Sequence, residues 1–304
     1  MSNINLPLSI SEYLAQELGD TGFQIAQQRH QAVTILVPGS HWVFKFVLQR
    51  PDLVTALDVE VRCLVALEHL AFDAPRVERQ GIISGFAYMR YTYIDGFIVK
   101  RSVRSHEHGY KLGRTLRSLH DLRADWKNID LHTWDSSRML GPIFEHAHSG
   151  DYLPEEIIFT HQLSQRFEQE GFNSFEMRFI HSDAHFNNVL FTANSAVLID
   201  WAEAGWGSKY FDLGVVLHSI SMQDTNRAEV ANGFIAGYFG DERMSEEEAG
   251  TIEAFILLRY LEATTWQYHE SEETRAEERD ENMEFTRKCF GTAREFTLAK
   301  LLNE

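Results

Sequence analysis

Apolar and polar positions change rhythm twice along the chain. Residues 6–18 carry apolar side chains at helical spacing, with Ser9 or Ser11 as possible N-caps, and predict a short amphipathic helix. Residues 23–28, 32–37 and 41–47 are short runs rich in β-branched and aromatic side chains. Pro38, Gly39 and Ser40 mark a turn between the last two runs, so this stretch predicts an antiparallel meander. From Pro51, which suits a first helical turn, the period returns to that of a helix. Leu53, Leu57, Val61, Leu64 and Leu67 share one face over residues 51–70. Residues 85–94 predict a further strand, and Asp95-Gly96 a turn that is the expected lobe boundary.

Beyond that turn the pattern is mostly helical. Helices are predicted over 106–122, with Leu112, Leu116 and Leu119 on one face, and over 153–170, 210–222, 226–239, 246–268 and 274–302. One β island interrupts them at about residues 178–200. The expected architecture is α+β: a β-rich N-terminal lobe over residues 1–94 and a mainly helical lobe over 95–304.

Composition narrows the picture by exclusion. With 304 residues, 44 % apolar and 24 % charged, the chain is neither disordered nor disulfide-dense. Its net charge of −17 is uneven: residues 1–150 hold 16 basic and 16 acidic side chains, residues 151–304 hold 12 and 29. Such a surface repels nucleic acid and suits either solubility or a cationic partner. Cys63 and Cys289 lack metal-ligand spacing and form no disulfide framework, so both are read as small apolar helix residues. With no signal-peptide pattern in residues 1–18 and no apolar run long enough to span a bilayer, a cytoplasmic protein without membrane partners is expected. A monomer and a homodimer fit equally.

The chemistry concentrates in the β island. Polar residues crowd a loop at 181–188; residues 189–191 and 196–199 read as the two strands of a hairpin turning at 192–195. That pairing sets Asn188 and Asp200 side by side at the open end, with Asp183 on the loop that feeds it. Two carboxylates and an amide oxygen are hard ligands that suit Mg²⁺ together with substrate phosphates. A carboxylate left off the metal can take the proton of an attacking hydroxyl, which is what phosphoryl transfer by a kinase requires.

The sequence His181-Ser182-Asp183-Ala184-His185-Phe186-Asn187-Asn188, followed by Leu198-Ile199-Asp200-Trp201, resembles the catalytic signature of the aminoglycoside phosphotransferase family, which includes choline kinase-like small-molecule kinases. Gly205-Trp206-Gly207 and Phe211-Asp212-Leu213-Gly214 resemble its downstream segment. The resemblance implies a bilobal protein kinase-like fold. It implies Asp183 as catalytic base, Asn188 and Asp200 as Mg²⁺ ligands, and His181 and Asp212 as structural supports. The chain departs from the family pattern at Ser182, usually Gly, and at Phe186-Asn187, usually Pro-Gly.

A kinase also needs a Lys on the third strand and a Glu on the next helix, paired with each other and holding the α/β phosphates of ATP or GTP. Lys45 sits alone within an apolar strand and Glu60 lies in mid-helix, as that pairing demands. There is no Gly-x-Gly-x-x-Gly; the loop near residues 28–32 is the expected phosphate cover. The hinge at 89–94, with Tyr91 and Tyr93, is expected to offer backbone groups to the base. The acceptor is expected to be a small-molecule hydroxyl, and the acidic second half favours a cationic one, an aminoglycoside or an amino alcohol. Glu203 is the nearest candidate contact, and Trp201, Trp206, Trp266 and Tyr268 are candidates for cation–π contact or for core. Two other readings compete. A metal-dependent hydrolase would use His181, Asp183, His185 and Asp200 as ligands. A regulatory module would bind nucleotide on the same fold without turning it over.

Overall fold

The computed structural model describes residues 7–18, 23–29, 32–37, 40–123, 129–148, 154–169, 175–273, 293 and 296–303. The chain divides into two compact units. Unit 1 comprises residues 1–96, 127–130 and 198–203, and unit 2 comprises 97–126, 131–197 and 204–304.

Unit 1 opens with α1 (Leu8–Leu18) and continues into β1 (Gln24–Arg29), β2 (Ala32–Leu36), β3 (Trp42–Leu48), α2 (Pro51–His69), β4 (Val77–Ile83) and β5 (Phe86–Thr92). The five strands form one antiparallel sheet in the order β1-β2-β3-β5-β4. Strand β4 falls outside the sequence expectation: its Glu78-Arg79-Gln80-Gly81 core is polar, because only one side of that edge strand is covered. Strand β3 is covered on both faces. Phe44 and Phe46 point into a core with Ile10 and Leu14 of α1, Ile35 and Tyr88. Val43, Lys45 and Val47 take the opposite face by the two-residue alternation of a strand, and Lys45 there meets α2. Of the expected phosphate loop, Gln28 and Arg29 belong to β1 and Ala32 to β2, and residues 30–31 lie outside the described residues.

Unit 2 contains α3 (His106–His120), β6 (His132–Trp134), α4 (Ser136–His148), α5 (Pro154–Gln169), β7 (Met177–Ile180), β8 (Val189–Phe191), β10 (Gly205–Ser208), α6 (Lys209–Ser221), α7 (Arg227–Phe239), α8 (Glu246–Glu273) and α9 (Leu298–Asn303). Strand β9 (Ala196–Leu198) pairs with β8 and leads the chain into the unit 1 segment at Leu198. β10 is the centre of a three-stranded sheet, parallel to β6 and antiparallel to β7. The sequence pattern missed β6, α4 and β10, because three- and four-residue strands carry too few positions for a period and Pro142 sits inside α4. The single helix expected over 274–302 does not hold at its end: Phe296 and Thr297 are not helical, and residues 274–292 lie outside the described residues, as does Cys289. Cys63 is buried on α2, and burial followed by the nearby Glu60 charge pushes its thiol up to about 12. No described helix is long and apolar enough to cross a membrane.

Helices α3 and α7 approach through glycines four residues apart on each. A Cβ on Gly109 or Gly113 would meet the carbonyl oxygens of Val230 and Phe234, and one on Gly233 or Gly237 those of His106 and Tyr110. The obstacles are backbone atoms, which cannot rotate away. Gly113→Ala is therefore expected to destabilise the protein by about 2–3 kcal/mol despite alanine's better helix propensity, read as a lower midpoint in urea unfolding.

Candidate active site

In unit 1 the apolar environment of β3 leaves Lys45 only partly exposed, and α2 supplies its partner. Lys45 Nζ lies 2.6 Å from Glu60 Oε2 and 2.7 Å from Asp200 Oδ1. Glu60 also accepts the Trp201 backbone N–H through Oε1 at 3.3 Å, so it holds both β3 and the segment after β9. Burial alone pulls the Lys45 ammonium down, but Glu60 and Asp200 outweigh it and hold it above its ordinary range, so Lys45 is charged. Burial pushes the Glu60 carboxyl up, against the opposing pull of Lys45. Glu60 is 4 % exposed and Asp200 45 %, so solvent screens the second contact far more than the first. Asp200 has φ +65°, a left-handed conformation that a non-glycine residue adopts only when its surroundings impose it. Trp201 is fully buried, with Nε1 donating to Leu198 O, and belongs to the core. Tyr91, on β5 across from Val43, is half-buried, and burial raises its phenol; Tyr93 is exposed. Glu203 is exposed as well.

In unit 2 the loop from β7 to β8 is anchored from below. Asp212, in the first turn of α6, is fully buried and accepts the backbone N–H groups of His181 (2.9 Å) and Ser182 (2.7 Å). It also contacts His120 Nε2 at 3.0 Å, and His120 Nδ1 meets the Tyr238 hydroxyl at 2.9 Å. Ser182 has φ +64°, which explains why glycine is at home there; the Asp212 clamp holds a serine in the same conformation. His181 Nδ1 accepts the Asp183 backbone N–H at 3.3 Å, which places the ring proton on Nε2.

Asp183 is 30 % exposed and reached from three sides. Asn188 Nδ2 donates to its backbone carbonyl (3.0 Å) and to Oδ2 (2.9 Å), which turns the Asn188 oxygen to the acceptor role. Arg259 of α8 donates to Oδ1 at 2.9 Å and to Glu262 Oε2 at 2.8 Å. His185 Nε2 lies 3.5 Å from Oδ2. Sequence reasoning missed Arg259, although its signal equals that of Lys45: a lone cation within the apolar run Phe255 to Leu261. It also missed His120 and Tyr238, which nothing in their local sequence sets apart.

The structure thus collects Lys45, Glu60 and Asp200 in unit 1, and His181, Asp183, Asn188 and Asp212 in unit 2. Trp206 is half-buried in β10, and the side chains of Trp266 and Tyr268 lie outside the described residues. No group of three or more His, Cys, Asp or Glu side chains able to hold a metal occurs among the described residues.

Two outcomes follow from the buried charges. Removing one partner of Lys45–Glu60 strands the other; Glu60→Leu or Lys45→Met should each cost about 3 kcal/mol, and the double variant less than their sum, by denaturant unfolding of all four proteins. His218 on α6 packs edge-on to Tyr260 at 4.4 Å, and burial, then Arg259, His185 and Arg101, hold its imidazole down to about 3. Its folded value lies below that of the unfolded chain, near 6.5. Stability is therefore unaffected above about pH 7 and is lost as pH falls from about 6.5 toward 3, at up to about 1.4 kcal/mol per pH unit. His218→Gln should flatten that acid limb; an unchanged limb refutes the assignment.

A search of curated protein sequences finds no match. Solved structures resemble the chain in fold. A choline/ethanolamine kinase family protein from Mesorhizobium loti superposes with a TM-score of 0.75 at 15 % identity, covering 97 % of this chain and 94 % of that one. The streptomycin–ATP ternary complex of APH(2″)-IIa gives 0.70 at 15 % identity, over 98 % and 99 %. The GDP complex of wild-type aminoglycoside 2′-phosphotransferase-IIIa gives 0.74 at 14 % identity, over 94 % and 98 %. The profile of the phosphotransferase enzyme family matches residues 24–247, a span that takes in the sheet of unit 1, the loop bearing Asp183 and the Asp212 clamp. The chain is a member of that phosphotransferase enzyme family, with a kinase-like fold.

Proposed function

We propose that the protein is a Mg²⁺-dependent small-molecule kinase that moves the γ-phosphoryl group of ATP or GTP to a hydroxyl of its acceptor. The observation that carries this reading is the Lys45 ammonium bonded to both Glu60 and Asp200. A buried lysine so fixed presents a point charge to nucleotide phosphates at little reorganisation cost. Residues 1–94 act as the nucleotide-binding lobe, with the strand end at Tyr91 and Tyr93 beside the base, and residues 95–304 as the catalytic and substrate-binding lobe.

Asn188 directly precedes β8 and Asp200 follows β9 by two residues, so one hairpin carries both hard-oxygen donors proposed for Mg²⁺. The ion, when bound, neutralises phosphate charge. The acceptor oxygen forms its bond to the γ-phosphorus as the bond to the bridging oxygen breaks. The nucleoside diphosphate leaves and the hydroxyl proton passes to Asp183. His181 and Asp212 hold the loop on which Asp183 sits. The net charge of residues 151–304 speaks for a cationic acceptor such as an aminoglycoside or amino alcohol, with Glu203 as a contact.

Asp183→Asn keeps the size of the side chain and removes the proton acceptor. It should lower turnover by about 10²–10⁴-fold with nucleotide affinity kept. The assay is mass-spectrometric detection of phosphoryl transfer from ATP and GTP to pooled hydroxyl compounds, with wild type alongside; wild-type turnover in the variant removes the mechanism.

A further inference from the structure

Buried polar groups almost always find partners, and each one left without costs about 1–3 kcal/mol. In unit 2 the described exceptions are Arg104 Nη1, His185 Nδ1, His218 Nε2 and both amide atoms of Gln223. They are not scattered. Arg104 stacks its guanidinium 4.3 Å from the ring centre of Phe186, three residues after Asp183 and next to His185. Its backbone oxygen accepts from Asn226, three residues beyond Gln223. His218 feels the charges of His185, Arg259 and Arg101. Arg104, through Phe186, thus packs against the loop that carries Asp183.

Arg104 is the informative member. Its side chain is 2 % exposed, and its one described hydrogen bond runs from Nε to Val99 O at 3.3 Å. No carboxylate pairs with it among the described residues, and the neighbouring charge acting on it is another cation, Arg101; burial and that neighbour pull it down to about 10. Guanidinium N–H groups donate only, and a buried cation without an anion is costly. Arg104 thus offers a donor and positive charge without a counter-anion, which suits an anionic group carried by the acceptor beside any cationic one.

We propose that Arg104, stacked on Phe186 of the loop that bears Asp183, is the subsite for an anionic group of the acceptor, a carboxylate or a phosphate. The group would pair with Nη1 and leave a hydroxyl elsewhere on the molecule to meet Asp183. This assignment rests on the kinase reading for the role of the site, and the anion subsite itself is measurable without turnover.

The test uses the full chain and a matched panel: glycerate, 4-hydroxybutyrate, 4-hydroxyphenylacetate and glycerol phosphate, the neutral amides of the three acids, glycerol, and the amino alcohols ethanolamine and choline. Binding is measured by calorimetry, and phosphoryl transfer is followed with Mg²⁺ and ATP or GTP. At least one anion should bind about tenfold or more tightly than its neutral counterpart. That gap should collapse in Arg104→Met and return in part in Arg104→Lys, with folding of each variant checked by its unfolding transition. Neutral or cationic members binding as well as the anions, or a folded Arg104→Met that keeps the gap, overturns the subsite. Transfer to those neutral or cationic members then leaves the kinase reading standing. An anion bound through Arg104 with no transfer to any member keeps the subsite and removes the kinase reading. If Arg104→Met fails to fold, the wild-type gap and Arg104→Lys decide.

Discussion

Asp212 has no contact with water and two oxygens to satisfy, and it satisfies them with the backbone of the loop that bears Asp183. The His181 and Ser182 amides and the His120 ring all converge on it. A buried carboxylate so placed cannot move without losing several hydrogen bonds at once, each harder to replace inside the protein than in water. The left-handed Ser182 is tolerated because that clamp imposes it. Tyr238 and His120 extend the clamp through α7 and α3, two helices drawn together by glycines. The loop's shape therefore traces back to a helix contact that a single methyl group would disturb.

The two units solve the burial of charge differently. In unit 1 a partly buried lysine has carboxylates on two sides, the buried Glu60 and the more exposed Asp200, so its charge is matched. In unit 2 Arg259 is matched by Asp183 and Glu262, whereas Arg104 faces an aromatic ring and another cation. The first arrangement is complete within the chain. The second is the pattern of a site that a ligand completes.

Much of the site was legible because its residues break the pattern around them. Lys45 interrupts an apolar strand, and Asp183, Asn188 and Asp200 crowd loops beside short apolar runs; such breaks cost stability and so point to chemistry. The resemblance to the phosphotransferase family rested on those same residues. Arg259 carries the same signal, but a lone arginine in an apolar helix run is equally the pattern of a snorkelling surface side chain. The elements that went unread are those with little pattern to read: the three-residue β6, the four-residue β10, the polar edge strand β4 and the proline-containing α4.

Local sequence alone determined the meander of unit 1, the helix bearing Glu60, the hairpin between Asn188 and Asp200, and the membership of a phosphotransferase family, because hydrophobic period and motif spacing act over fewer than twenty residues. Tertiary structure alone decided that His120 and Tyr238, 118 residues apart, brace Asp212, that Arg259 reaches Asp183 from 76 residues away, and that Arg104 ends against Phe186 with a donor unmatched. Those pairings follow from which helix faces pack together. That is settled by the sum of contacts across the whole unit, and no single segment records it.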